Sequence, residues 1–198
     1  MHTRSRAVDG AVLPRPDGFV ISGGVMQGEE DNDIDGRRET VQDLTRQCGE
    51  NDNETLKERS ALAVSLHRAG LLEEAVHQQQ AVLQARSRLL GDDHPDTLLS
   101  RRLLIHVLLD AGQLERASAE QLALADGRIR SLGAEHPETL GGRANLGRTL
   151  YRLGRLQEAE QELHTVLDAC ERALDPGHPI TQVTRDHLLA VRRELGTA

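Results

Sequence analysis

Three His-Pro pairs, at His94, His136 and His178, present imidazoles at a fixed interval of 42 residues, and imidazole is the commonest protein ligand for transition metals. Geometry opposes a metal reading. Ligands converge to about 2 Å of one ion, whereas helical units stack about 10 Å apart. These histidines are therefore expected at helix starts, with no metal and no cofactor. His67 and His77 stand ten residues apart with no acidic or Cys partner at ligand spacing, and Cys48 and Cys170 lack CxxC spacing. The chain contains no phosphate-binding Gly loop followed by Lys and Ser or Thr, no HExxH and no GxSxG. Its many carboxylates do not single out an acid-base pair, so catalysis is not expected and no catalytic residue is nominated.

What remains is guanidinium chemistry. Arg59, Arg101, Arg143 and Arg185 recur once every 42 residues. Such a column could form a ladder of bidentate donors for carboxylates on a partner, or could pair with acids of neighbouring loops such as Asp92, Asp93 or Glu135. Recurrence in every unit favours packing. Residues that break the period are better candidates for a ligand, and Arg102, His106, Asn145, Arg148 and Arg152 occur once or nearly so at their register positions.

The elements that must position these residues follow from the same period. Thr55, Thr97, Thr139 and Thr181 are 42 apart, as are Gly70, Gly112, Gly154 and Gly196, and Leu62, Leu104, Leu146 and Leu188. Within one unit Leu98, Arg101, Leu104, Ile105 and Leu108 fall at helical spacing and stop at Gly112. A second helical stretch runs from Leu114 through Ala117, Leu124, Ala125 and Ile129 to Leu132 before Gly133. Pro95, Pro137 and Pro179 suit first helical turns, where a missing N–H costs nothing. Each unit thus reads as two helices that bury their apolar faces only by stacking on neighbours. Gly147 is placed where the two helices of its unit approach most closely; Gly141 and Gly142 fall in a first turn, either fraying or leaving room for a partner's backbone.

The stretches Leu132 to Leu140, Arg143 to Gly147 and Gly154 to Ala159 spell Leu-Gly-x-x-His-Pro-x-Thr-Leu, Arg-x-Asn-Leu-Gly and Gly-Arg-Leu-x-Glu-Ala. This pattern resembles the 42-residue tetratricopeptide repeats of kinesin light chains and of many bacterial proteins, over residues from roughly 50 to 195. The resemblance implies an all-α, right-handed helical-hairpin solenoid of three full repeats (54–95, 96–137 and 138–179) with a C-terminal capping helix at 180–195. It also implies a concave groove lined by first helices, where peptides bind. Asn145 matches an asparagine of the carboxylate clamp of tetratricopeptide co-chaperones, Arg102 stands in place of a lysine and His106 of a second asparagine. Val183 and His187 replace the remaining basic residues, which departs from that clamp.

Bulk composition agrees with helices and limits the partners. Phe19 and Tyr151 are the only aromatic residues and there is no Trp, so the core must be aliphatic. The formal charge of -8 disfavours nucleic acid. No run is long enough to span a bilayer and none reads as a signal peptide. Two unpaired thiols fit a reducing compartment, so a cytoplasmic protein is expected. Residues 1–38, rich in Gly and Pro and then acidic from Glu29 to Asp35, read as disordered, with Met26 as an alternative start. Residues 39–53 read as a partial capping helix and loop, because Thr40 to Cys48 aligns with Val82 to Leu90; the repeat domain would occupy 54–198.

Charge is segregated between the helices. The four first helices carry 11 Lys or Arg against 7 Asp or Glu, net +4, while the second helices are net -3. The expected function is therefore an adaptor or interaction module receiving a peptide of a protein partner, acidic or ending in a C-terminal carboxylate, on Arg101, Arg102, His106, Arg143, Asn145, Arg148 and Arg152. Two alternatives remain at this point: a structural module that forms a homo-oligomer through its end helices, and a peptide-responsive sensor segment of a larger signalling system.

Overall fold

The computed structural model describes residues 33–175 and 177–196. Among them are eight helices and no strand: α1 Ile34–Cys48, α2 Asn53–Arg68, α3 Leu72–Leu90, α4 Pro95–Asp110, α5 Leu114–Leu132, α6 Pro137–Arg152, α7 Leu156–Ala173 and α8 Pro179–Leu195. The expected all-α solenoid is what the chain forms, with α2/α3, α4/α5 and α6/α7 as helix pairs and α8 as the closing helix. The expectations of disorder and of an alternative start at Met26, as far as they concern residues 1–32, lie outside the described residues.

The His-Pro pairs open helices. His94, His136 and His178 are the N-caps of α4, α6 and α8, each with ring Nδ1 accepting from the backbone N–H two residues on at 3.2 Å, and proline follows in each first turn. An imidazole used this way satisfies an N–H that the helix itself leaves without a partner. Asp52 does the same for α2 through Glu54 N–H at 2.9 Å. Glycines at the helix ends, such as Gly91 with φ 90° and Gly133 with φ 96°, adopt a backbone that a side chain would strain.

The start of α1 corrects the boundary expected at residue 38. Residues 34–38 are helical, because Asp33 accepts from Gly36 N–H at 2.7 Å and so caps the helix. A Cβ on Gly36 would lie 2.1 Å from the Asp33 carboxylate, so the glycine that reads as a breaker makes the cap possible. Tertiary contacts then hold the turn: Arg37 reaches Glu58 of α2 at 2.7 Å, Arg38 reaches Glu74 of α3 at 2.6 Å, and Ile34 packs against the core.

Each helix packs on its sequence neighbours, and α6 also packs directly on α8. The second helices α1, α3 and α5 are bridged across their layer by long side chains, Arg38 to Glu74 and Arg116 to Gln80. The first helices α2, α4, α6 and α8 form the other layer, and its open face is the inner wall expected to receive a peptide. Between the layers runs an aliphatic core in which Leu66, Leu108, Leu140 and Leu163 have no exposed surface. Burying a side chain of this size contributes about 2 kcal/mol. The Thr column, at 0 to 1% exposure in all four units, is buried as well, so its recurrence reflects packing.

Candidate functional site: the inner wall of first helices

Two contacts join neighbouring first helices across the inner wall. His67 Nε2 of α2 lies 2.7 Å from Asp110 Oδ2 of α4, and Tyr151 of α6 donates its hydroxyl to Glu194 of α8. In both pairs the partners are 43 residues apart. The same offset sets Arg102 of α4 beside Asn145 of α6, and the 42-residue register sets His106 level with Arg148 and Asn145 level with His187 of α8. Of the expected site residues, Arg102 and His106 lie on α4 and Asn145, Arg148 and Arg152 on α6.

Arg101 and Arg143 are engaged by carboxylates. Arg101 donates to Glu120 of α5 at 2.6 Å and to Asp92 at 3.3 Å, and its side chain is only 12% exposed. Arg143 donates through Nε and Nη2 to both oxygens of Glu162 of α7 at 2.7 and 2.9 Å, a pairing that favours its charged form. Each arginine reaches 19 residues forward, onto the second helix of its own pair. These two members of the expected groove are thus turned into the seam between layers, where a carboxylate already occupies their donors. Of the loop acids considered for this column, Asp92 does pair with Arg101, while Asp93 binds Arg130 and Glu135 binds Arg172. Arg185, on the helix without a following partner, reaches back to Glu171 at 2.8 Å.

The glycines of α6 sort by the same geometry. A Cβ on Gly147 would stand 2.6 Å from Leu163, so the close approach expected within this pair is real and requires glycine. On Gly142 it would press the Arg128 guanidinium at 3.0 Å, which donates to the Glu138 carbonyl, whereas Gly141 has room beside Ile180.

On the inner wall the charges are less well matched. Arg148 is half-buried and has no hydrogen bond or ion pair among the described residues; burial and the neighbouring Arg152 charge both lower its pKa. By surface area His106 is an exposed residue. Desolvation by burial, followed by the Arg102 charge, lowers its pKa, with Asp110 opposing and His67 and Arg148 adding to the fall. His187 is half-buried with Nδ1 unpartnered, and burial followed by the Arg148 charge lowers its pKa. Its place in the Asn145 column was the available signal for including it in the site; it was read only as a mismatch to the carboxylate clamp.

The family model for the tetratricopeptide repeat matches residues 59–96 and 139–180. These two segments are similar to tetratricopeptide repeats. Their fold is shared with a crystal structure of nearly identical tetratricopeptide-like repeats assigned to a kinesin light chain of Podosopora anserina, at 22% identity and TM-score 0.73 over 82% of this chain and 77% of that one. It is shared as well with BtubC from P. vanneervenii, at 18% identity and TM-score 0.66 over 81% of this chain and 64% of that one. At these identities the likeness concerns the fold. None of the curated proteins matches the sequence. Nearly all of α4, with Arg102 and His106, lies between the two matched segments.

Among the described residues no three His, Cys, Asp or Glu side chains are grouped to hold a metal, and no helix is long and apolar enough to cross a membrane. One hollow, of about 360 Å³, is lined by Leu83, Gln84, Ser87, Arg88, Arg101 and Glu120, and Arg101 is paired with Glu120.

Proposed function

We propose that this protein is an adaptor whose inner wall receives an extended acidic segment of a protein partner. Tetratricopeptide repeats are in general protein–protein interaction modules, and their scaffold is typically non-enzymatic; what is specific here is the choice of face and of partner chemistry. The observation that carries the reading is Arg148, a half-buried guanidinium with Arg152 rather than a carboxylate as its neighbour. A desolvated cation without an anion is unfavourable by itself and gains most from an incoming carboxylate. Arg102, His106 and Asn145 add polar side chains on the same two helices, and Leu99 and Val183 offer exposed apolar surface for the partner's nonpolar atoms. A cytoplasmic setting fits the two free thiols, Cys48 and Cys170.

The test is binding of a fluorescent hexaglutamate peptide by anisotropy, with a hexaglutamine peptide as control. Wild-type protein binds the acidic peptide and not the neutral one, and Arg148→Glu together with Arg152→Glu lowers the affinity at least about tenfold. Equal binding by wild type and the charge-reversal variant refutes the inner wall as the receiving face.

A further inference from the structure

Recurring arginines of the second and third units pair at two fixed intervals. On the first helices Arg101 meets Glu120 and Arg143 meets Glu162, each 19 residues ahead. Near the ends of the second helices Arg130 meets Asp93 and Arg172 meets Glu135, each 37 residues back. The first unit keeps both arginines, Arg59 on α2 and Arg88 on α3, but holds Gln78 and Asn51 where the same intervals place the acids. Neither guanidinium makes a hydrogen bond or ion pair among the described residues. Both line one hollow of about 180 Å³, together with Asn51 of the α1–α2 loop and Gln84 of α3. We propose that this hollow is an anion site that takes neighbouring carboxylates of an acidic segment of a protein partner, in place of the two acidic side chains this unit lacks.

The other units supply the choice of ligand. There each arginine has a carboxylate of its own, at 2.6 to 3.4 Å, so carboxylates are what these guanidinium positions accommodate within the fold. Two cations lining one hollow repel each other until an anion enters. Asn51 and Gln84 carry amide N–H groups that can donate to the same oxygens. Leu56 and Ala85, each 3% exposed, make part of the lining apolar and weaken the screening of a bound charge. Glu50 is the one acid in the lining and makes no ion pair among the described residues, so two cations face one anion and the hollow stays positive. The larger hollow that contains the paired Arg101 shares Gln84 and Arg88 with this one, which gives a bound segment room to continue past Arg88. Arg148 and Arg152 lie on α6, away from this lining, so the inference stands apart from the reading of the inner wall.

Restoring the missing acids tests this directly. In N51D/Q78E each arginine regains the partner its counterparts have, so the hollow is filled from within and both cations are kept. Binding is read by anisotropy of labelled hexaglutamate, with hexaglutamine as control, on the whole chain carrying Arg148→Glu and Arg152→Glu so that the inner wall does not contribute. That protein should bind hexaglutamate and not hexaglutamine, and adding either N51D/Q78E or R59Q/R88Q should weaken binding at least about tenfold. N51D/Q78E should also raise the urea midpoint, which separates a filled site from a damaged fold. In the parent protein the side-chain Nε–H resonances of Arg59 and Arg88 should shift with hexaglutamate more than those of Arg101 and Arg143, which are already paired. Absence of binding in the parent protein, unchanged binding in N51D/Q78E, or shifts at Arg101 and Arg143 as large as at Arg59 and Arg88 would each overturn the inference. Equal binding by wild type and the parent protein, lost in N51D/Q78E, would support this site while refuting the inner wall.

Discussion

The seam between the layers and the inner wall both display arginines, yet they treat them in opposite ways. In the seam, Arg101 and Arg143 each meet a glutamate 19 residues ahead, half-buried and well aligned. On the wall, Arg148 has the Arg152 charge and no paired carboxylate beside it among the described residues. The seam arginines recur in every unit, whereas Arg148 stands alone in its register column. In a solenoid each unit must present the same surface to its neighbour, so a recurring charge is satisfied by packing where its acid recurs with it, whereas a charge that appears once has no symmetry-related partner and is free to face a ligand.

The comparison breaks first at the seam's apolar part. Replacing Leu108, which has no exposed surface, by Ala should cost about 3 kcal/mol, read as a lower urea midpoint. Gly147→Val should cost about 2 kcal/mol or more, because its side chain would meet Leu163; a midpoint equal to wild type would show that α6 and α7 can separate freely. Next comes the seam's charge. Arg143→Ala leaves Glu162 half-buried and alone, and should cost about 1 to 2 kcal/mol after allowance for the solvent that reaches both groups; the double change with Glu162→Gln should recover part of it. By contrast Arg148→Ala should change stability by no more than about 0.5 kcal/mol, since no native ion pair is lost. A loss at Arg148 as large as at Arg143 would erase the distinction between the two regions.

The smallest effect sharpens the comparison. His106 and His187 bind protons less readily when folded than when unfolded, so the unfolded chain takes up protons first as the solution is acidified. Their contribution is unaffected above the ordinary histidine value of about 6.5 and is lost as pH falls from there toward the folded values. Urea midpoints should therefore decline over that window, and H106Q/H187Q should decline less than wild type.

Much of the fold was legible because packing repeats. The Thr column, the proline positions and the Gly147 approach all concern contacts made within a unit or with an identical neighbour, and these project onto sequence as fixed intervals. The start of α1 was not legible. Gly36 and the acids around it are disorder signals by composition, and only the Asp33 cap and the contacts to Glu58 and Glu74 convert them into a helix. For the candidate site the sequence places Arg102, His106, Asn145, Arg148 and Arg152 on first helices, whereas the pairing of Arg101 with Glu120 and of Arg143 with Glu162 was not legible, because it depends on how each helix is rotated against the next.

By itself the sequence determined the helices, their pairing and their number among the described residues, since period, caps and apolar spacing are local quantities repeated along the chain. Tertiary structure alone decided which arginines are neutralised and which are not. A guanidinium can reach several carboxylates, and the choice depends on the rotation of each helix against neighbours 19 or 43 residues away, a distance in space that no single repeat encodes.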